Sequence, residues 1–467
     1  MSAVALLDDY RRRALSPLEA MRDVLQRVAQ FDPYIHATYL LAPERALTEA
    51  RAAEARWHRG EPLGPLDGVP VTIKDNIATK GEPVPLGTAA SDLVPAAEDA
   101  PPAARLREAG AIIFTKTAMP DYGMLSSGIS SFHPTTRNPW DLTRNPGGSS
   151  SGAAAAAAAC CGPLHLGTDI GGSVRLPAGW CGVFALKPSL GRVPIDPPYI
   201  GRVAGPITRS VADAALMMAT LAQNDTRDFM SLPPQPLDWR IEPANLAGRR
   251  IGLLLEAGCG YPTSAPTRAA IERAARDFAA AGAIVEPLKP FLTQEMLDGL
   301  DRFWRMRALI DFRARTPEQR GKILPFIRAW GESAAEFSGE AIFHGFSQIM
   351  VMRKAAIAAT LPYDFVLAPT APLTAFAAEL ASPSDDPLNP FPHISFTVAF
   401  NMSEQPAASI NCGYSDEGLP IGLQIVGRRF DDLGVLEVAA AFEAMRASEP
   451  RAWPEPPVTA EPAKKLA

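Results

Sequence analysis

The sequence predicts an α/β layer architecture with a largely parallel or mixed sheet. Helix-patterned segments alternate with short β-rich runs: "AARLREAG" precedes "AIIFTK", and "TRAAIERAARDFAAAG" precedes "AIVEPL". Three late runs, "DFVLAPTAP", "AASINCG" and "PIGLQIVG", read as further core strands bounded by turn residues. The length of 467 residues leaves room for a sizeable core, and no repeat or linker interrupts the body of the chain.

The elements follow in order. Ser16-Pro17-Leu18-Glu19 reads as a capping box with proline in the first turn, and Leu18, Met21, Leu25 and Val28 continue at helical spacing. Asp32-Pro33 is expected to end that helix. A second helix, from about 43 to 58, stops at Gly60. The turn "GEPLGPLDGVP" then feeds the apolar run "VTI", which ends on Lys74-Asp75. The segment 298–353 carries Trp304, Phe312, Phe326, Trp330, Phe343 and Phe346 at helical spacing. It reads as helix core, with a substrate-pocket wall as the sharper alternative. From about Ser448 the chain is rich in Pro, Ala and Glu and is expected to fray.

Composition narrows the function. Apolar residues make up 47% and charged residues 21%, the proportions of a globular chain. A net charge of −6, with no basic cluster longer than Arg11-Arg12-Arg13, argues against a nucleic-acid partner. The start "MSAVALLDDYRRR" lacks the basic flank and long apolar region of a secretory signal, and no run has the apolar length of a membrane span, so a cytoplasmic location is expected. The five cysteines form neither a disulfide framework nor a C-x-x-C pattern. They read as reduced core thiols, Cys160-Cys161 packing within the alanine block. Six scattered histidines show no ligand spacing, and no metal and no cofactor are expected.

One segment concentrates chemistry: "GGSSSGAAAAAAACCGPLHLGTDIGGS". A phosphate cradle would need a lysine directly after the glycine loop, and the nearest downstream is Lys187. Gly148-Ser149-Ser150-Ser151-Gly152 formally matches a nucleophile elbow centred on Ser150, but the turn-rich "NPWDLTRNP" before it is not a strand. A glycine-serine linker is the commonest explanation of such composition, and the alanines that follow favour a helix start instead. In the second turn, consecutive glycines before Ser173 let backbone N–H groups converge on one point, as an oxyanion hole requires.

Together, "GGSSSG" (147–152) and "GTDIGGSVRLP" (167–177) resemble the signature of the amidase signature enzymes. "GVPVTIKD" (68–75), "LREAGAIIFTKTAMPDYG" (106–123), "TRNPWD" (136–141), "CGVFALKPSLGRVP" (181–194), "GPITRSVADAA" (205–215), "YDFVLAPTAP" (363–372) and "GLPIGLQIVGR" (418–428) are similar to further family blocks. The resemblance spans most of 60–445, with 291–360 least family-like. It implies a single amidase domain: a large mixed, twisted β-sheet covered by helices on both faces, N-terminal helices over 1–60, a catalytic core over 60–215 and a variable, pocket-forming segment over 291–360.

The resemblance also implies roles. Lys74 corresponds to the catalytic base, Ser149 to a bridging serine on a cis peptide, and Ser173 to the nucleophile. The backbone amides of Ile170, Gly171, Gly172 and Ser173 correspond to the oxyanion hole, Ser150 and Asp169 to supporting positions, and Arg175 to a structural or site-shaping arginine. Gly123, Met124 and Leu125 fall in the loop where family members meet substrate. Taken singly, Lys74 reads as a surface lysine beside Asp75, and Ser173 and Asp169 read as turn and cap residues; the joint pattern reverses those readings. The chemistry is coherent without histidine. Burial can keep a lysine neutral, and a hydroxyl can accept one proton while donating another.

Two departures stand out. His165 replaces a small residue and reads as a packed core histidine. "IDPPYIGRVAGP" lacks the Asp-Gln element typical of the family's tRNA-dependent amidotransferase subunits. The reading is therefore a free-standing amidase, monomeric or homodimeric, acting with water on a small-molecule amide. An apolar or aryl acylamide is favoured, with carbamates (urethanes) and esters compatible. The alternative is a glutaminase-type subunit supplying ammonia inside a multiprotein amidotransferase.

Overall fold

The structure, a computed structural model, describes residues 1–449 and 452–455. Most of the tail expected to fray lies outside the described residues. Eleven strands form one sheet: β1 (Thr38–Tyr39), β2 (Pro70–Lys74), β3 (Ile112–Thr117), β4 (Leu164–Asp169), β5 (Phe184–Lys187), β6 (Val203–Thr208), β7 (Arg250–Leu253), β8 (Ile284–Pro287), β9 (Phe365–Pro369), β10 (Ala407–Tyr414) and β11 (Pro420–Val426). Their spatial order is β1-β3-β2-β4-β6-β5-β10-β11-β9-β7-β8. β2 runs parallel to both β3 and β4, and β7 runs parallel to both β8 and β9. The remaining pairs are antiparallel, so the sheet is mixed, and the α/β class holds.

Helices cover both faces, and the period of two along β5 shows it. Phe184 and Leu186 pack with Val211, Ala214 and Val435 on one side. Ala185, between them, packs with Ala153, Ala157, Val174 and Ala178 on the other. Strand β2 is buried at every position, as expected of a strand with parallel neighbours and helices over both faces.

The alanine block is the densest part of this packing. The helix Ser151–Ala158 has every residue buried. Ala155, Ala156 and Ala159 face Met21, Val24, Phe31 and Phe114, while Ala153, Ala154, Ala157 and Ala158 face Val174, Ala178 and Ile207. A helix apolar all round is a buried helix, and methyl-sized side chains let two layers approach it at once. At Gly152 even a Cβ would come 2.2 Å from the Ala37 carbonyl oxygen. This contact fixes the helix start, and with it the serines just before.

Two expectations are corrected. The helix beginning at Pro17 does not stop at Asp32-Pro33 but runs to Ile35, with Pro33 inside it. Asp32 terminates it differently: its carboxylate accepts hydrogen bonds from the N–H groups of Ala37 (2.7 Å) and Thr38 (3.0 Å), while His36 takes the left-handed conformation. Cys160 lies outside the alanine helix, also left-handed, with φ 59°. The N-terminal helices expected over 1–60 include a capped helix, Ala3–Arg12, whose Leu6, Leu7 and Tyr10 join the core.

Candidate active site

The parallel pairing of β2 with β4 brings their C-terminal ends side by side, in register at Ile73 and Leu166. Lys74 closes β2, and Thr168-Asp169 closes β4. This is the end of a parallel sheet where α/β folds place ligands. The turn before the alanine helix lies against the same edge, its Ser150 N–H donating to the Ser173 carbonyl (3.1 Å). The Gly148–Ser149 peptide is cis.

Lys74 is fully buried, not a surface residue. Its Nζ donates to Ser149 Oγ (2.8 Å), Ser150 Oγ (3.0 Å) and Thr168 Oγ1 (3.1 Å). All three are neutral hydroxyls. Burial pushes its pKa down to about 7; the carboxylates of Asp169 and Asp75 oppose that shift, and Arg202 adds to it. Asp75 does not pair with Lys74. It accepts from the N–H groups of Leu86 and Gly87 and lies 2.7 Å from His133 Nε2.

Asp169 organises the second turn. Its carboxylate accepts from the N–H of Gly172 (2.8 Å) and of Val174 (3.1 Å), and holds the Arg175 guanidinium through Nε and Nη2, both at 3.0 Å. Burial works to raise its pKa, but Arg175 and Asn401 overcome that and hold it well below the usual carboxylate range. Arg175 is itself fully buried and donates further to Thr397 O, Gln424 Oε1 and Asn401 Oδ1. The pair is thus hydrogen-bonded on all sides, the condition under which a buried ion pair is tolerated.

Of the four amides expected to line an oxyanion hole, Gly172 is committed to Asp169. The N–H groups of Ile170, Gly171 and Ser173 have no hydrogen-bond partner among the described residues. Gly172 is needed for another reason: its φ is 126°, and a Cβ there would meet Thr397 Oγ1 at 2.6 Å and Leu176 Cδ1 at 2.7 Å.

Ser149 and Ser173 both open on one cleft with two limbs. The apolar limb is lined by Gly123, Met124, Leu125, Ile170, Trp304, Phe391 and Ile394. The polar limb is lined by Asn76, Tyr122, Ser149, Thr168, Arg202 and Arg307. Ser173 lines both.

The residues singled out in the sequence are therefore brought together, with Ser150 behind the cleft against Lys74. The aromatic segment divides. Trp304 lines the cleft, Phe312 and Trp330 are core, and Phe343 is exposed. His165 is a core residue, between Thr72 Oγ1 (2.9 Å) and Gly162 O (3.2 Å), with burial driving its pKa down to about 3. Sequence reasoning missed Thr168, Asn76, Arg202, Arg307, Phe391 and Ile394. Thr168 lies inside "GTDIGGS" and Asn76 directly follows "GVPVTIKD", so both were within reach. The others converge only through the fold.

Comparisons with known proteins show the family. The sequence profile of the Amidase family matches residues 19–436. A glutamyl-tRNA(Gln) amidotransferase subunit from Moorella thermoacetica is 34% identical over 95% of this chain and 96% of its own. Its counterpart from Synechococcus elongatus is 33% identical over 92% and 95%. Among solved structures, a bacterial aryl acylamidase of the amidase signature family superposes with a TM-score of 0.88 at 32% identity, covering 95% of this chain and 96% of that one. A 6-aminohexanoate cyclic dimer hydrolase superposes with a TM-score of 0.83 at 26% identity, over 95% and 97%. The chain belongs to the amidase family, the amidase signature enzymes. It is an amide hydrolase.

Proposed function

We propose that Ser173 is the nucleophile, Ser149 the proton relay and Lys74 the base of a serine amidohydrolase. The observation that carries this is Lys74, fully buried, with Nζ 2.8 Å from Ser149 Oγ. A serine hydroxyl is a weak nucleophile until its proton is taken. A lysine whose pKa lies near 7 is substantially neutral at neutral pH and has a lone pair to take it. Ser149 accepts from Ser173 while passing its own proton to Lys74. The amides of Ile170, Gly171 and Ser173 are available to the developing oxyanion; one such donor typically contributes about 3 kcal/mol. On collapse the relay returns a proton to the leaving nitrogen, and water repeats the sequence on the acyl-enzyme. Asp169, held by Arg175, keeps the Gly171–Ser173 turn in place, and Ser150 and Thr168 hold the lysine.

The acyl half of the substrate is apolar or aryl, because the limb lined by Trp304, Phe391, Ile394 and Leu125 is apolar apart from Ser126, Ser173 and a single charged lining residue, Arg307. A screen of anilides, primary amides, carbamates and esters with the purified protein tests this. Turnover of apolar acylamides is expected, and turnover of glutamine alone would overturn it.

A second reading is favoured by the curated relatives, which are amidotransferase subunits matching nearly the whole chain. In it the same triad releases ammonia from glutamine inside a multiprotein complex. Against it stands "IDPPYIGRVAGP", without the Asp-Gln element. Co-purification separates the two: a chain inactive alone and recovered with other subunits supports the second reading.

A further inference from the structure

We infer that the cleft selects amides whose amine half bears a carboxylate, N-acyl amino acids being the simplest class, with Arg307 and Arg202 receiving that carboxylate. This rests on the triad and relay proposed above. The relay sets the orientation: the proton passing through Ser149 must reach the leaving nitrogen, so the amine half points into the limb that Ser149 lines. The acyl half is left with the apolar limb beyond Ser173.

The limb that receives the amine half is cationic. Arg202 and Arg307 both line it. Its one acidic residue, Asp169, has both carboxylate oxygens committed to Arg175, Asn401 and backbone N–H groups. Neither arginine is in ion-pair contact with a carboxylate among the described residues. Asp196 and Asp228 act on Arg202, and Asp311 on Arg307, only from longer range. The Arg202 guanidinium donates to the Pro197 carbonyl, yet its Nε is buried without a hydrogen-bond partner. Arg307 is braced instead by the Tyr199 ring, 4.1 Å below its guanidinium carbon. Burial chiefly, and then Arg307, lowers the pKa of Arg202 to about 10, with Asp196 and Asp228 opposing that shift from outside ion-pair distance. A substrate carboxylate would give both guanidiniums a direct ion-pair partner, and its two oxygens fit their planar forks.

The reaction balances without a co-reactant other than water. Ser173 Oγ bonds to the acyl carbon, and its proton travels through Ser149 to the leaving nitrogen as the C–N bond breaks and the amino acid departs. Water then adds to the acyl carbon, Ser173 recovers a proton, and the carboxylic acid leaves.

The test compares N-phenylacetylglycine with N-propylphenylacetamide, its neutral near-isostere, by release of phenylacetate. The wild-type enzyme is expected to prefer the acid in kcat/KM by at least about tenfold, the lower range for hydrogen bonds to a charged group. Arg307→Gln is expected to reduce that preference at least about tenfold, and Arg307→Lys to retain part of it. A wild-type ratio at or below one overturns carboxylate recognition while leaving the amidase reading intact, as does an unchanged ratio in folded Arg307→Gln. Phenylacetate from neither compound overturns both. If Arg307→Gln does not fold, ionic strength decides on the wild-type enzyme: added salt should lower kcat/KM for the acid more than for the neutral amide, and equal responses overturn the inference.

Discussion

The amine nitrogen of Lys74 lies 2.8 Å from the hydroxyl oxygen of Ser149, although 75 residues separate them. No carboxylate is in ion-pair contact with that lysine among the described residues; its near partners are hydroxyls. A base so placed can be neutral when a substrate arrives, and substitution tests it directly. Lys74→Ala should lower kcat/KM for an anilide by about 10²–10⁴-fold, the usual contribution of a positioned acid–base group. Ser173→Ala should abolish acyl-enzyme formation, read as a missing mass adduct with a slow carbamate substrate. Full activity in either variant would remove the triad.

The acid limb of the pH–rate profile should follow Lys74. With its pKa near 7, kcat/KM is expected to fall as pH drops below about 7, because protonation removes the lone pair. A profile flat from pH 8 to pH 5 would exclude this lysine as the base.

The same shift makes a stability prediction whose sign can be worked out. The folded state releases the Lys74 proton near 7, and the unfolded chain near the ordinary lysine value of 10.5. Between those values the unfolded state binds more protons, so Lys74's contribution to stability improves with rising pH, and its penalty is fully present below 7. The stability of Lys74→Met relative to wild type should therefore be greatest below pH 7 and decline as pH approaches 10.5. Urea melts at pH 6 and pH 9 measure this; a difference constant with pH refutes it.

Asp169→Ala strands a fully buried guanidinium and removes the acceptor for the Gly172 and Val174 amides. Breaking a buried pair from one side typically costs about 3–5 kcal/mol. A large fall in the urea midpoint with near-complete loss of activity is expected. Wild-type stability would show that the ion pair does not hold the turn.

Gly172→Ala is the smallest change that should disable the site. The new methyl would lie 2.6 Å from Thr397 Oγ1 at a φ of 126°, a conformation that L side chains rarely adopt. The turn carrying Ser173 must shift, and activity should fall by orders of magnitude while circular dichroism at 20 °C stays native. An active Gly172→Ala would mean that the turn tolerates displacement at the nucleophile.

Much of this protein was legible along the chain. Alternating helix and strand patterns gave the α/β class, because periods of 3.6 and 2 follow from local geometry. The candidate site was legible through the resemblance of "GGSSSG" and "GTDIGGSVRLP" to the amidase signature, since glycine-serine composition by itself fits a linker as well. The end of the first long helix was not legible: a proline ordinarily stops a helix, yet this one runs past Pro33 to Ile35, where the Asp32 carboxylate caps the following backbone.

What the sequence could not decide is whatever depends on distant segments meeting. That Lys74 is buried follows from β2 lying between β3 and β4. That Gly172 spends its N–H on Asp169, leaving three amides rather than four, is a matter of hydrogen-bond geometry. Arg202 and Arg307 lie 105 residues apart and follow no shared pattern, yet they line the same limb of the cleft. Local propensity fixes elements and small-residue turns. Desolvation and charge balance belong to the assembled surroundings of a group, so the lysine's proton affinity and the meeting of two arginines in one limb arise only from tertiary structure.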